Sequence, residues 1–354
     1  MSLFWLQRST ILLLAIFGSV SSFHQHRISP FHRTAALSMK YINGVKDLSD
    51  YSTYLLDMWG VMHNGSTPYD GVLQTVKEIR KAGKDIIILS NSSKRTDNAI
   101  KTLTKLGFDI EDFHQIITSG EIGFRMLCGD SSLQCSSWNV LTYLIAENRK
   151  KAFVFGSGDG DEEYCNKAGW TLSTIDDADL IIARGTFTLN DGSGNVISKK
   201  HDVDHYNEML EITLKKAASK KIPMLVTNPD RVRPDEDLPP MPGAIGDAYE
   251  NYIGGEGKDL VRRIGKPYPE VYELALLNSK SDKVVMIGDA LETDIIGGTN
   301  ANCSQCWVVN DGIHSYAVGE YNNFEEGTKR VLDDFNTSKD LSLKPTYILK
   351  NFLF

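Results

Sequence analysis

The sequence predicts an α/β fold, an open and mainly parallel sheet with a second α/β domain, and three observations carry that expectation. Apolar runs of strand length alternate with segments of helical periodicity from residue 54 onward. Short polar motifs stand at the ends of several runs, where parallel sheets collect their ligands. The 354 residues suit two domains at about 150 residues each.

In chain order, Tyr54-Leu55-Leu56 reads as a short buried strand. Leu73, Val76 and Ile79 give a helix that ends at Gly83, and Asp85-Ile86-Ile87-Ile88-Leu89 is the next strand. Asp97–Leu106 is a second helix stopped by Gly107, followed by the strand Ile116-Ile117-Thr118. Residues 151–226 repeat the alternation, with strands at Ala152–Phe155, Leu180–Ile182 and Met224–Val226 and a helix over Asn207–Ser219. Lys283–Ile287 is a later core strand and Trp307-Val308-Val309 the last strong one. Asp191–Gly194 and Pro234–Pro242 read as connectors.

Composition narrows the function. Hydrophobic residues make up 41% and charged residues 24%, which excludes disorder, collagen and coiled coil. A formal charge of −8 makes nucleic acid a poor partner. The charge is uneven: residues 1–40 hold four bases and no acid, so the rest carries 34 bases against 46 acids, a formal −12. Arg8, the apolar run Ile11–Phe17 and the small residues Gly18–Ser22 have the layout of a signal peptide, and the basic, hydroxylated stretch around His24–Thr34 that of a transit peptide. This bipartite leader, over 1–40, predicts a plastid address of the kind found in algae with complex plastids, with the secretory pathway as the alternative. The apolar run is too short for a stable membrane span, which needs about 20 residues. Five cysteines are too few for a disulfide scaffold. Cys303-Ser304-Gln305-Cys306 has redox-motif spacing, but Cys306 opens an expected strand and reads as structural. Of the glycosylation sequons, those at Asn64 and Asn91 fall in loops where a glycan would block the site described next.

Four motifs stand at strand ends or in loops: Asp57 after Tyr54–Leu56, Ser90-Asn91 after Ile86–Leu89, Lys266 in Ile264-Gly265-Lys266-Pro267, and Asp289 in Gly288-Asp289-Ala290-Leu291-Glu292-Thr293-Asp294. A carboxylate on a tight turn serves as a nucleophile towards phosphorus, splitting one displacement into two through an aspartyl-phosphate. A serine hydroxyl and a lysine ammonium supply donors to phosphate oxygens. Two aspartates close together repel, so a hard cation that prefers oxygen, Mg²⁺, is expected between Asp57 and Asp289.

With these motifs the chain resembles the haloacid dehalogenase superfamily of phosphatases, subfamily IIA (the NagD-like, capped branch), from about Tyr41 to His314, roughly three quarters of its length. Leu55–Gly65 looks like the family's first loop, Thr227-Asn228-Pro229-Asp230 like its cap signature and Gly243–Gly254 like the helix entering the lysine motif. The resemblance implies a Rossmann-like parallel-sheet core, residues 41–120 and 244–335, with an inserted α/β cap of the C2 type over 121–243 and a C-terminal tail at 336–354. It implies Asp57 as nucleophile, with Lys266 and Asp289 as the other catalytic residues. Mg²⁺ would be held by the Asp57 carboxylate, the Trp59 main-chain carbonyl and Asp289. Ser90 and Asn91 would bind phosphate through side chain and backbone, Lys266 would neutralise the phosphoryl charge, and Asp294 would stand behind them, ordering water or the lysine. Trp59 and Asp230 are expected at the substrate, a small phosphorylated metabolite. A cap-mediated homodimer is left open.

One departure matters. Most phosphatases of the superfamily carry a second aspartate two residues after the nucleophile, which protonates the leaving group; this chain has Trp59. Indole donates one hydrogen bond and shuttles no proton, and losing a positioned acid–base costs on the order of 10²–10⁴ in rate. Three readings stay open: substrates with good leaving groups such as acyl or enol phosphates; a surrogate acid, His63 or Asp230; or a site that binds a phosphometabolite with little turnover. Carbon–halogen or carbon–phosphorus hydrolysis is disfavoured, because the phosphate set Ser90, Lys266 and Asp289 is complete.

Overall fold

Continuous apolar runs fold as buried parallel strands because both faces of such a sheet are covered. The computed structural model describes residues 39–354 apart from 134–137, 159, 234–238 and 278–282. The expected leader therefore lies outside the described residues as far as Ser38, and Lys40, placed in it by composition, instead opens the first strand. The strands are β1 (Lys40–Ile42), β2 (Thr53–Leu56), β3 (Asp85–Ser90), β4 (Gln115–Thr118), β5 (Lys151–Gly156), β6 (Thr171–Leu172) and β7 (Leu180–Ala183). They continue with β8 (Thr188–Asn190), β9 (Ile197–Ser198), β10 (Met224–Val226), β11 (Val261–Arg263), β12 (Val284–Gly288), β13 (Ser304–Val308) and β14 (Tyr347–Leu349).

The first sheet has the order β1-β14-β13-β12-β2-β3-β4, with every pairing parallel. From β2 the chain moves outward through β3 to β4; on its return it takes β12 on the other side of β2 and moves outward again. The order thus reverses between β2 and β12, and the crevice beyond their carboxyl ends is where open α/β sheets bind ligands. The second sheet has the order β11-β10-β7-β5-β8-β9, with β6 also beside β5. Its β5–β8 and β8–β9 pairings are antiparallel and the rest parallel.

One apolar cluster joins the two sheets. Leu55, Ile87 and Leu89 of the first meet Val154, Ile182 and Leu225 of the second around helix Ser119–Leu127. Two aromatic tips satisfy main-chain oxygens of that helix: Tyr164 Oη donates to Gly120 O at 2.9 Å and Trp170 Nε1 to Leu127 O at 3.0 Å.

Two expected boundaries move. Helix Pro242–Ile253 buries Ile245 and Tyr249 against Phe155, Met224 and Val226, and β11 pairs with β10, so the second sheet keeps the chain as far as Arg263 rather than releasing it at 243. The expected tail at 336–354 holds β14, which inserts between β13 and β1 with Ile348 and Leu349 buried. A three-residue strand is too short to show a period, which is why it read as tail. Helix Val203–Lys220 begins a turn before the expected Asn207, where Asp202 Oδ1 accepts the His205 N–H at 2.9 Å. Cys306 sits inside β13 rather than opening it. Burial pushes the Cys303 thiol up to about 11 and Cys306 well up also, so both stay protonated near neutrality. Among the described residues, no helix is long and apolar enough to cross a membrane.

Candidate active site

The register of β2 and β12 places Leu56 opposite Ile287, and the Asp57 N–H bonds Ile287 O at 3.0 Å, so Asp57 and Asp289 emerge on adjacent strands. After Asp57 the chain turns sharply: Met62 and His63 N–H both return to Met58 O, at 2.8 and 3.2 Å. Gly60, at φ +79°, presses its backbone on the Asp289 carboxylate, where a Cβ would collide. Asp289 Oδ2 accepts the Ile313 N–H at 2.8 Å. Asp294, on the turn Leu291–Ile295, accepts the Ala290 N–H at 3.1 Å.

Lys266 arrives from the second sheet, in the loop after β11, and stands buried between two carboxylates. Its Nζ is 2.5 Å from Asp57 Oδ1 and 2.8 Å from Asp294 Oδ1. Asn91 fixes that loop. Its Oδ1 accepts the Lys266 N–H at 2.7 Å, and its Nδ2 donates to Lys266 O at 3.0 Å and to Asp230 Oδ1 at 2.7 Å. Ser119 Oγ donates to the same Asn91 Oδ1 at 3.4 Å and to Ser90 O at 3.2 Å. The Asn91 amide thus has both its donors engaged on Asp230 and Lys266 and holds the lysine loop, which leaves its backbone for the expected phosphate contact. Ser90 is buried at the same cleft, its Oγ accepting the Ser92 N–H at 3.2 Å. Sequence reasoning missed Ser119; its signal was a serine opening the helix after β4.

The cleft has a volume of about 1140 Å³ and lies between the two sheets' ends. Asp57, Ser90, Lys266 and Asp289 line it from one side, Arg184 and Arg233 from the other. Burial, and then the neighbouring Asp57 and Asp294, hold the Asp289 carboxyl well above the usual carboxylate range. Asp57 is raised by burial with Lys266 pulling the other way. Burial alone would pull the Lys266 ammonium down, but Asp294 and Asp57 outweigh it and keep it charged. Asp230 and Asp294 are each pushed up to about 6, chiefly by burial. One ammonium thus faces four carboxylates. Oxygens of Asp57, Asp289 and Asp294 lie within 4.8 Å of one another, a donor set and a charge imbalance that fit a hard divalent cation.

Trp59 forms the wall beside Asp57. Its ring lies against Gly65, meets His63 edge-on at 5.9 Å between centroids, and carries the Arg233 guanidinium 5.8 Å above it. His63 is not an acid in this setting: burial pulls it down to about 4, and its Nδ1 accepts the Gly65 N–H at 2.9 Å. Farther up the cleft, buried Arg184 bonds buried Asp161 at 2.8 Å. Neither arginine was singled out from sequence, because a charge in a connector carries no local pattern.

Two family models match the chain: one described as haloacid dehalogenase-like hydrolase over residues 54–171, the other as HAD-hydrolase-like over residues 263–338. Among curated relatives, phosphoglycolate phosphatase 2 of Arabidopsis thaliana is 28% identical, over 81% of this chain and 90% of its own length. The 4-nitrophenylphosphatase of Schizosaccharomyces pombe is 26% identical over 75% and 86%. Among solved structures, a haloacid dehalogenase-like hydrolase from Brucella suis superposes with a TM-score of 0.63 at 20% identity, covering 88% of this chain and 100% of that one.

Proposed function

We propose, for a chain that belongs to the haloacid dehalogenase-like hydrolases of subfamily IIA and is a phosphatase, that it releases phosphate from a small phosphorylated metabolite through an aspartyl-phosphate at Asp57. The observation that carries this reading is the buried Asp57–Lys266–Asp294 chain beside Asp289 at the strand-order reversal. Asp57 attacks phosphorus. Lys266, fixed by Asn91, faces the charge on the phosphoryl oxygens, and Ser90 with the adjoining backbone donates to the same group. Mg²⁺, held by Asp57, Asp289 and the Trp59 carbonyl, supplies when bound the positive charge that the four carboxylates lack. We take the second sheet and its helices as the cap that shields the site from water. The two relatives' names agree on a phosphate monoester and differ on the rest of the substrate.

A second reading is a catalytically weak phosphometabolite-binding protein. Trp59 in the acid's place, next to a neutral His63, favours it. Substituting Asp57→Asn separates the two: turnover of a phosphate-ester panel should vanish while binding of inorganic phosphate persists. Equal turnover in the variant would sink the aspartyl-phosphate. A plastid address is proposed on the leader alone, and import of a fluorescent fusion of residues 1–40 tests it.

A further inference from the structure

We propose that Asp230 is the base that activates water in the second half-reaction, the hydrolysis of the aspartyl-phosphate at Asp57; this rests on the phosphatase reading above. The site needs such a group, because Trp59 stands where an acid–base is expected and its indole accepts no proton.

The direction of attack puts the base on the second sheet's side of the cleft. Attacking and leaving oxygens lie roughly in line at phosphorus, and the bond that breaks here joins phosphorus to Asp57. Asp57 rises from the end of β2 in the first sheet, so water enters from the side of the second. Asp230 comes from that side: it stands in the loop after β10 and lines the same cleft. It is near enough to Asp57 for its charge to raise the Asp57 carboxyl.

The Asp230 carboxylate is held with one oxygen to spare. Its Oδ1 accepts from Asn91 Nδ2 at 2.7 Å, and its main-chain N–H bonds Asn228 Oδ1 at 2.9 Å. Among the described residues, none donates a hydrogen bond to Oδ2. Asn91 also anchors the main chain of Lys266, so one side chain sets the base and the lysine together. The other carboxylates lining the cleft beside Asp57 have partners of their own. Asp247 and Glu250 bind Arg263, Glu292 binds His314, and Asp289 accepts the Ile313 N–H. His63 spends Nδ1 on the Gly65 N–H.

The surrounding charges suit the task. Burial first, then Asp294 and Glu292 on the turn after β12, raise the Asp230 carboxyl to about 6, against the pull of Asn91 and of Lys266. Such a group is ionised above neutrality: it takes a proton from water and has few to give an alkoxide. The leaving group therefore departs unassisted in the first half-reaction, and only the second gains from Asp230.

The step balances. A lone pair of the water oxygen forms the bond to phosphorus as one water proton passes to Asp230 Oδ2, and the second proton stays on the phosphate. The bond from phosphorus to the Asp57 oxygen breaks, and its electron pair returns to Asp57 as a carboxylate. Asp230 then releases its proton to solvent.

The test is a rapid-quench comparison of the full chain with its Asp230→Asn and Asp230→Glu variants, using 4-nitrophenyl phosphate and Mg²⁺ at about pH 8, where the base is ionised. Asp57→Asn serves as the blank. Asp230→Asn keeps the acceptor for Asn91 and should melt no lower than the wild type. Its first 4-nitrophenol should leave at the wild-type rate, while steady-state turnover falls by about 10²-fold or more. Mass spectrometry of the quenched variant should show a phosphoryl group retained on Asp57 through the steady state. Asp230→Glu, which keeps a base, should retain more turnover than Asp230→Asn. Unchanged steady-state turnover in Asp230→Asn, a first turnover slowed as much as the steady state, or an Asp230→Glu variant no faster than Asp230→Asn would overturn the inference and leave the phosphatase reading standing. Wild-type turnover no greater than that of the blank would overturn that reading as well.

Discussion

Asn91 grips the main chain of Lys266 from both sides, accepting its N–H at 2.7 Å and donating to its C=O at 3.0 Å, across 175 residues of sequence. The strand-end loop after β3 therefore builds the active site in two ways. It carries Ser90, the proposed phosphate ligand, into the cleft, and it holds Lys266, the lysine proposed to neutralise that phosphate.

Replacing Asn91 by alanine should leave buried peptide groups of Lys266 unpaired, at about 1–3 kcal/mol per group. A lower melting temperature together with a kcat reduced at least tenfold is expected, read by thermal unfolding and steady-state kinetics. Loss of KM alone, with kcat intact, would mark Asn91 as a phosphate ligand instead.

Trp59→Asp should return an acid to the leaving-group side. Across aryl phosphates of graded leaving-group acidity, the wild-type kcat/KM should depend steeply on that acidity and the variant's weakly, because a general acid offsets a poor leaving group in the step that forms the intermediate. Identical slopes would show that Trp59 does not face the leaving group.

Asp230 gives a pH signature. Its carboxyl is raised from 3.8 to about 6 in the fold, so the folded state binds this proton more tightly than the unfolded chain. Its contribution to the stability of the metal-free protein is present below the ordinary carboxylate range and is lost as pH rises through about 6. Asp230→Asn keeps the acceptor for Asn91 and removes the titration. The melting temperature of the wild type relative to this variant should fall between about pH 4 and pH 6; a flat difference would contradict the shift.

The buried Arg184–Asp161 pair should be stabilising only as a pair. Asp161 also accepts the Gly158 N–H at 2.9 Å and the Ser157 N–H at 3.2 Å. Removing Asp161 alone should cost about 3–5 kcal/mol, measured by denaturant unfolding, because it strands a buried guanidinium. Arg184→Met with Asp161→Leu should recover much of that loss.

The parts legible in the sequence are those that local pattern fixes. β2, β3 and β12 have apolar middles because both faces are covered, and the polar residues at their ends announce Asp57, Ser90 and Asp289. β11 was not legible: Val261-Arg262-Arg263 is short, and two of its three residues are charged. Their partners, Glu270 for Arg262 and Asp247 with Glu250 for Arg263, lie outside the strand. The role of Asn91 depends on a loop 175 residues away. Contacts of that kind leave no period and no spacing to read.

The most direct measurement is a rapid-quench experiment with 4-nitrophenyl phosphate, followed by mass spectrometry of the acid-quenched protein. Without an acid–base at position 59, breakdown of the intermediate should lag its formation. A burst of 4-nitrophenol equal to the enzyme, with one phosphoryl group on Asp57, is the expected result. Turnover without that adduct, persisting in Asp57→Asn, would contradict Asp57 as the nucleophile.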